Sequence, residues 1–507
     1  MGACQPRMSA NLHVAIDFGA SGGRVALGRL ENRKLEVEVL HRFPNRPVPI
    51  RGGLYWDMIG LWRESLEGLK LAVAQAQASG EVISSVGVDS WAVDFALLDE
   101  YGHLLDGVHC YRDPRTDGIM SGVLERFPKK SLHELTGLQF LPFNTVYQLL
   151  AIKHAAPNML ARAHGFLMVP DLLHYWLTGK VTCERTNAST TQFYDPRAGV
   201  WSDAVLNALD LPEHFLPSII DAGSSIGKVT AEVAREIGLE DLMVIAPGTH
   251  DTASAVAAAP LTDQTSAYIS SGTWSLVGLE TIEPVINPLA IGANLTNEGG
   301  VNGTNRLLKN VMGLWILQEC RRAWSDPDWS SLYSEAESFP AFSSLIDPDD
   351  ARFLAPGNDM PERVQAFCLE TNQTVPESRG ALVRCVLESL ALKYKLVLDS
   401  LERASGITVS NLHIIGGGSQ VELLNQFTAN ATGLEVIAGP IDATLIGNLL
   451  VQAVGMGSLE WPQIREVVRN SFELRSFQPR DEQYWQQALV RFQDMLEQSA
   501  HEHPVIA

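Results

Sequence analysis

A pattern that occurs twice, an apolar run, a bend of small residues and a second apolar run, constrains this chain more than any other feature. Val14-Ala15-Ile16-Asp17-Phe18 leads through Gly19-Ala20-Ser21-Gly22-Gly23 into Arg24-Val25-Ala26-Leu27. The arrangement predicts a β-hairpin. Far downstream, Ala267-Tyr268-Ile269-Ser270, then Ser271-Gly272-Thr273, then Trp274-Ser275-Leu276-Val277 repeat it. The echo predicts two related lobes with a boundary near residues 255–265: an N-terminal lobe over 11–258, a C-terminal lobe over 259–480 and a helical tail over 481–507.

The rest of the chain fits an α/β protein. Met58 to Ala78 is amphipathic, and Val82 to Val88 and Phe95 to Leu98 read as strands. Residues 101–215 hold helical stretches separated by Pro and Gly and should decorate the first lobe. Met243 to Ala246 predicts a strand that turns at Pro247-Gly248 into a helix from Thr249 to Ala259. In the second lobe, Gly380 to Arg403 has helical apolar spacing. Leu412 to Ile415 is a strand running into Gly416-Gly417-Gly418 and a helix to Thr432, and another helix follows Asp442. The stretch from Pro462 onward predicts one further helical segment.

At 507 residues, 46% of them apolar, the chain can bury large cores. Its net charge of -21 disfavours nucleic acid and anionic membrane surfaces as partners. Met1 to Ala10 lacks the pattern of a secretory signal, and no apolar run could span a bilayer, so a cytoplasmic location is expected. The six cysteines show no C-x-x-C pair, which argues against a zinc site and for reduced thiols. No obligatory protein partner is signalled.

Small bends of this kind can aim successive backbone N–H groups at an anion. Asp17 interrupts an apolar strand just before the first bend, and a buried carboxylate needs a compensating cation or donors. A magnesium ion held through water would serve; an ordinary hairpin with a turn-capping Asp is the other reading. Gly416 to Gly418 either lets a nucleoside approach the backbone or gives tight strand–helix packing. Neither a Walker loop nor a Rossmann fingerprint occurs, and Asp17-Phe18-Gly19 lacks the other protein-kinase signatures. Asp251 stands where a helix begins, so amides and dipole should keep it ionised, either as a simple cap or as a proton acceptor. Asp89, Trp91 and Asp94 either shape a pocket or are structural.

The segments Asp17 to Arg24, Gly87 to Phe95, Gln139-Phe140-Leu141-Pro142-Phe143-Asn144-Thr145, His250-Asp251-Thr252-Ala253-Ser254, Asn294 to Gly300 and Leu308 to Trp315, in that order, resemble the FGGY carbohydrate kinases of the actin/Hsp70-like ATPase superfamily. The likeness covers residues 12 to 480. It implies two ribonuclease H-like lobes, each a mixed sheet flanked by helices, with a catalytic cleft between them that closes on ATP and a ketose. It implies that Ala20, Ser21, Gly22, Gly23, Arg24 and Thr273 contact the phosphates, that Gln318 and Gly417 lie along the nucleotide, and that Asp17 faces magnesium. By the same likeness Asp251 is the proton acceptor, and His250, Thr252, Asn310 and the Ala92 backbone contact the sugar. Ala92 stands where the related pattern usually has Gly. Cys368 and Cys385 match paired positions in relatives, although thiols are expected in a cytosol. Two rivals stay open: a kinase for a different ketose or polyol, and a nucleotide-operated binding protein on the same fold.

Overall fold

The computed structural model describes residues 11–502. Asn11–Gly19 and Gly22–Glu31 form the first hairpin, in antiparallel register with Asp17 opposite Arg24. Leu12, Val14, Ala15, Ile16 and Phe18 are all buried, on both faces of the strand, which is why the sequence there is apolar without alternation. Lys34–Pro44 extends the sheet antiparallel on one side. On the other, Ile83–Ser90 and Met243–Ile245 run parallel, and Ser225–Lys228 closes the edge antiparallel. The parallel step from Asn11–Gly19 to Ile83–Ser90 needs a crossover. The helix Met58–Ala78 supplies it, started by Asp57, whose side chain accepts the Gly60 N–H at 2.9 Å.

The second sheet repeats this plan. Around Ser266–Ser271, Trp274–Thr281 and Asn305–Met312 are antiparallel, Asn411–Ile415 and Val436–Ala438 parallel, and Arg475–Phe477 antiparallel at the edge, with Thr296–Gly299 added beyond Asn305–Met312. The crossover here is the helix Arg379–Ser405, capped by Ser378 and ended by Gly406 in left-handed conformation. Two mixed sheets flanked by helices are therefore present, as the echoed hairpins and the family resemblance predict.

Each sheet has an outer core, and residues 95–216 pack around a separate cluster that includes Phe95, Phe166 and Phe193. A further core lies between the sheets. There the helices Asp251–Ala257 and Ala443–Gly455 are sandwiched between Ala15, Ala26 and Leu30 of one sheet and Tyr268, Leu276 and Leu308 of the other. Small residues set their separation: a Cβ on Gly447 would fall 1.7 Å from the Ser254 carbonyl oxygen. The helix Ile464–Ser471 then packs on Lys34–Pro44, where the Leu35 N–H donates to Ser471 Oγ at 2.9 Å.

The stretch after Pro462 departs from expectation. It contains two helices, Ile464–Ser471 and Glu482–Glu502, with the edge strand Arg475–Phe477 between them. Three residues are too few to show a strand period, which hides this element from the sequence. Among the described residues no helix is long and apolar enough to cross a membrane.

Gly447→Ala should separate the two central helices and destabilise the protein by about 1–3 kcal/mol. Thermal denaturation checks this, and an unchanged melting temperature would show that the crossing is looser than described.

Candidate active site

A cavity of about 630 Å³ opens between the lobes, in the size range of small-molecule sites. Its walls bring together Ala20, Ser21 and Arg24 of the first bend, Thr273 of the second, Gly417 beyond Asn411–Ile415, and Ala92, His250, Asp251, Thr252 and Asn310. Four other predicted residues stand behind the wall. Gly22 and Gly23 are covered by the next strand, with a Cβ on Gly23 falling 2.2 Å from the Phe43 ring. Gln318 accepts from the Thr273 hydroxyl at 3.3 Å, so it orients that hydroxyl from the rear. Asp17 is buried, and its oxygen accepts from Arg24 Nε at 3.1 Å.

The cross-strand register explains that pair, since Asp17 and Arg24 are directly opposed. Arg24 also pairs with Asp442, which stands just before the helix Ala443–Gly455, so one guanidinium joins the two lobes beside the phosphate-type bend. Asp89 is opposite Asp17 on the other neighbouring strand and is held by Asn448 of the same helix. Burial first, then the charge of Asp17, pushes the Asp89 carboxyl well above the usual range, and its Oδ1 has no hydrogen-bond partner among the described residues. No three His, Cys, Asp or Glu side chains among those residues are arranged to ligate a metal directly. Of the carboxylates here Asp251 faces the cavity, while Asp17 stands behind its wall, paired with Arg24.

Asp251 opens the helix Asp251–Ala257, and its Oδ1 accepts the Thr252 hydroxyl at 3.1 Å. The helix start favours the ionised carboxylate, as expected, while burial in the cleft, reinforced by the negative Asp17, raises its pKa above the ordinary range against the pull of His250 and the Thr252 N–H and hydroxyl. The side chain is still 30% exposed to the cavity, so a bound hydroxyl can reach it.

The opposite wall rests on Asp94. This buried carboxylate accepts from Trp56 Nε1 at 2.6 Å, Gln148 Nε2 at 2.9 Å, and Trp91 Nε1 and the Tyr111 N–H at 3.0 Å. Burial pushes its pKa up to about 6 against the pull of these donors. Asp94 is therefore a structural post for the turn Trp91-Ala92-Val93. Val93 there has φ 68°, unusual for a β-branched residue, and its carbonyl is held by Thr145 Oγ1 at 2.7 Å. Gln139, from the other quoted segment, accepts both the N–H and the side-chain amide of Asn310, at 3.0 and 3.1 Å. The Asn297 N–H likewise donates to the Gly137 carbonyl at 2.9 Å, and the Phe140 N–H to Asn294 Oδ1 at 3.0 Å. These bonds stitch the lobes together at this end of the cleft.

Reasoning from the sequence missed Glu298 and Arg306. Glu298 lines the cavity; burial opposes its charge, and the Arg306 guanidinium beside it favours that charge, leaving the carboxyl below the ordinary range. Little local signal marks them: Thr296–Gly299 has no apolar residue, and Asn305–Met312 carries Lys309 as well as Arg306. Within the triple glycine, close packing falls on Gly418, where a Cβ would meet Ser271 Oγ at 2.0 Å, whereas Gly417 lines the cavity and a Cβ there would meet nothing within 4 Å.

Residues 12–258 match the N-terminal domain model, and residues 267–456 the C-terminal domain model, of the FGGY family of carbohydrate kinases. The chain belongs to that family. Among its relatives, a protein of Bacteroides thetaiotaomicron named rhamnulokinase is 42% identical over 481 residues, covering 95% of this chain and 98% of that one. A rhamnulokinase of Oceanobacillus iheyensis is 42% identical over 466 residues, 92% of this chain and 98% of the other. The solved gluconate kinase of Lactobacillus acidophilus shares the fold, with a TM-score of 0.81 at 15% identity, covering 98% of this chain and 100% of that one. As an FGGY kinase the chain is an ATP-dependent carbohydrate kinase.

The glycines give a paired test. Gly417→Val should raise the KM for ATP several-fold with little change in melting temperature, whereas Gly418→Ala should cost about 1–3 kcal/mol of stability. Steady-state kinetics and thermal melts on both variants check this, and the opposite assignment of effects would overturn it.

Proposed function

We propose that this kinase transfers the γ-phosphoryl group of ATP to the 1-hydroxyl of L-rhamnulose, giving L-rhamnulose 1-phosphate and ADP in L-rhamnose catabolism in the cytoplasm. The observation that carries the reading is the position of Asp251, a cavity-facing carboxylate at the base of the cleft walled by the two bends. The rhamnulokinases of similar length, matched over nearly the whole chain, support the choice of sugar.

In this reading, backbone N–H groups at Ala20 and Ser21 and the Thr273 hydroxyl receive the phosphates, and the open backbone at Gly417 lets the nucleoside lie close. His250, Thr252, Asn310 and the Ala92 backbone orient the sugar so that its primary hydroxyl faces Asp251. Asp251 takes the proton as the oxygen bonds to phosphorus, and the ADP oxygen leaves opposite it. Magnesium, held through water before Asp17 and Asp251, would offset charge on the phosphates. The raised pKa of Asp251 suits a base working near neutral pH, because a more basic carboxylate accepts a proton more readily.

Asp251→Asn should retain ATP binding and lose roughly a hundredfold to ten-thousandfold of sugar-dependent ADP release. Near-normal turnover would remove Asp251 from the role. Because the deprotonated form is required, kcat/KM for the sugar should hold at higher pH and fall as pH drops through the Asp251 pKa, with the acidic limb above the ordinary aspartate range. A limb at or below that range would contradict the assignment. A coupled ADP assay with rhamnulose, fuculose and xylulose tests the sugar. Preference for another ketose would point to the wall at Ala92, and ATP turnover without any sugar dependence would favour a nucleotide-operated binding protein.

A further inference from the structure

Behind His250 lies a charged group that the proposed chemistry does not use. Arg306, in the strand Asn305–Met312, is fully buried, and it does not line the cavity. Its Nε donates to the Gly299 carbonyl at 2.8 Å, and its Nη2 lies 3.0 Å from His250 Nδ1 and 3.2 Å from Glu298 Oε2. Nη1 is buried without a partner among the described residues. On the far side of the imidazole ring, Nε2 is 3.5 Å from Asp251 Oδ1.

A guanidinium can only donate, and Nη2 carries two hydrogens. Both are satisfied if one goes to Glu298 and the other to a lone pair on His250 Nδ1. The competing arrangement puts a hydrogen on Nδ1 directed at Glu298 Oε2, which is 3.3 Å away. That would turn an N–H toward Nη2 and leave a second guanidinium hydrogen unpaired beside the already orphaned Nη1, a costly state in a fully buried group. The doubly protonated ring fails for the same reason.

We infer that Arg306 is a positioning residue that fixes His250 as the tautomer with its hydrogen on Nε2. His250 then offers the cleft one hydrogen-bond donor and no proton acceptor. Its partner is a lone pair on a hydroxyl or carbonyl oxygen of the ketose, and proton acceptance is left to Asp251. The inference rests on the kinase reading for its substrate, although the tautomer itself does not depend on it.

The test uses the full-length protein labelled with [15N]histidine, with His250 assigned by comparison with His250→Gln. The expected spectrum near neutral pH shows an unprotonated Nδ1 and a protonated Nε2. In Arg306→Lys, which keeps the charge beside Glu298 but loses the fork, the expected result is a mixed or reversed tautomer. It should come with a KM for the sugar raised about tenfold, as for one lost hydrogen bond, at unchanged KM for ATP. A purely structural arginine would alter melting temperature without moving the tautomer. A hydrogen on Nδ1 in the unaltered protein would overturn the inference, as would an Arg306→Lys variant that folds and keeps both tautomer and sugar KM. Should that variant fail to fold, the spectrum of the unaltered protein decides alone. The spectrum is readable whether or not any ketose is phosphorylated, so failure of the kinase reading is told apart from failure of this one.

Discussion

The contact between Ser254 and Gly447 sets the geometry of the whole cleft. Two helices of small residues lie between two large sheets, and their closest approach is backbone against a residue with no side chain. That close approach holds the two sheets on either side of the helix pair. Helix interiors rarely favour glycine, which costs about 1 kcal/mol against alanine, so its presence here reflects packing rather than propensity. The cavity-facing carboxylate Asp251 belongs to one of these helices. Asn448, which holds Asp89, and Asp442, which pairs with Arg24, belong to the other or its approach.

Buried charge is the second organising principle. Asp17, Asp89, Asp94, Glu298 and Arg306 would each be unfavourable alone, and each is compensated by a specific neighbour. The compensations differ in kind. Asp94 collects neutral donors and holds a wall. Asp17 is matched by an arginine across its own hairpin, and Glu298 by Arg306 from the neighbouring strand. Asp251 faces the cavity, and among the described residues only Thr252 donates to its carboxylate.

Much of this was legible in the sequence. The hairpins, the crossover helices Met58–Ala78 and Arg379–Ser405, and the strand before Gly416 follow from apolar periodicity and caps, because local patterning decides them. The matched families of strand pairs confirm what two echoed bends suggested. Harder to see were features decided by residues distant along the chain. Nothing local in Gln139 shows that it accepts from Asn310, or in Arg24 that its partners are Asp17 and Asp442. The raised pKa of Asp251 is hidden for a related reason: the helix start is visible in sequence, but its burial and the nearby Asp17 carboxylate are set by the folded cleft.

The path of the chain after residue 440 has a practical meaning. Having completed most of the second sheet, the backbone returns to cover the first with Ala443–Gly455 and Ile464–Ser471, then crosses back to add the edge strand Arg475–Phe477. A fragment cut near residue 258 would keep all six strands of the first sheet, yet it would present Ala15, Ala26, Leu30 and Leu35 to water. Neither half is thus a self-sufficient piece of polypeptide, and cutting the gene at the apparent midpoint would yield sticky, aggregation-prone products rather than two working modules.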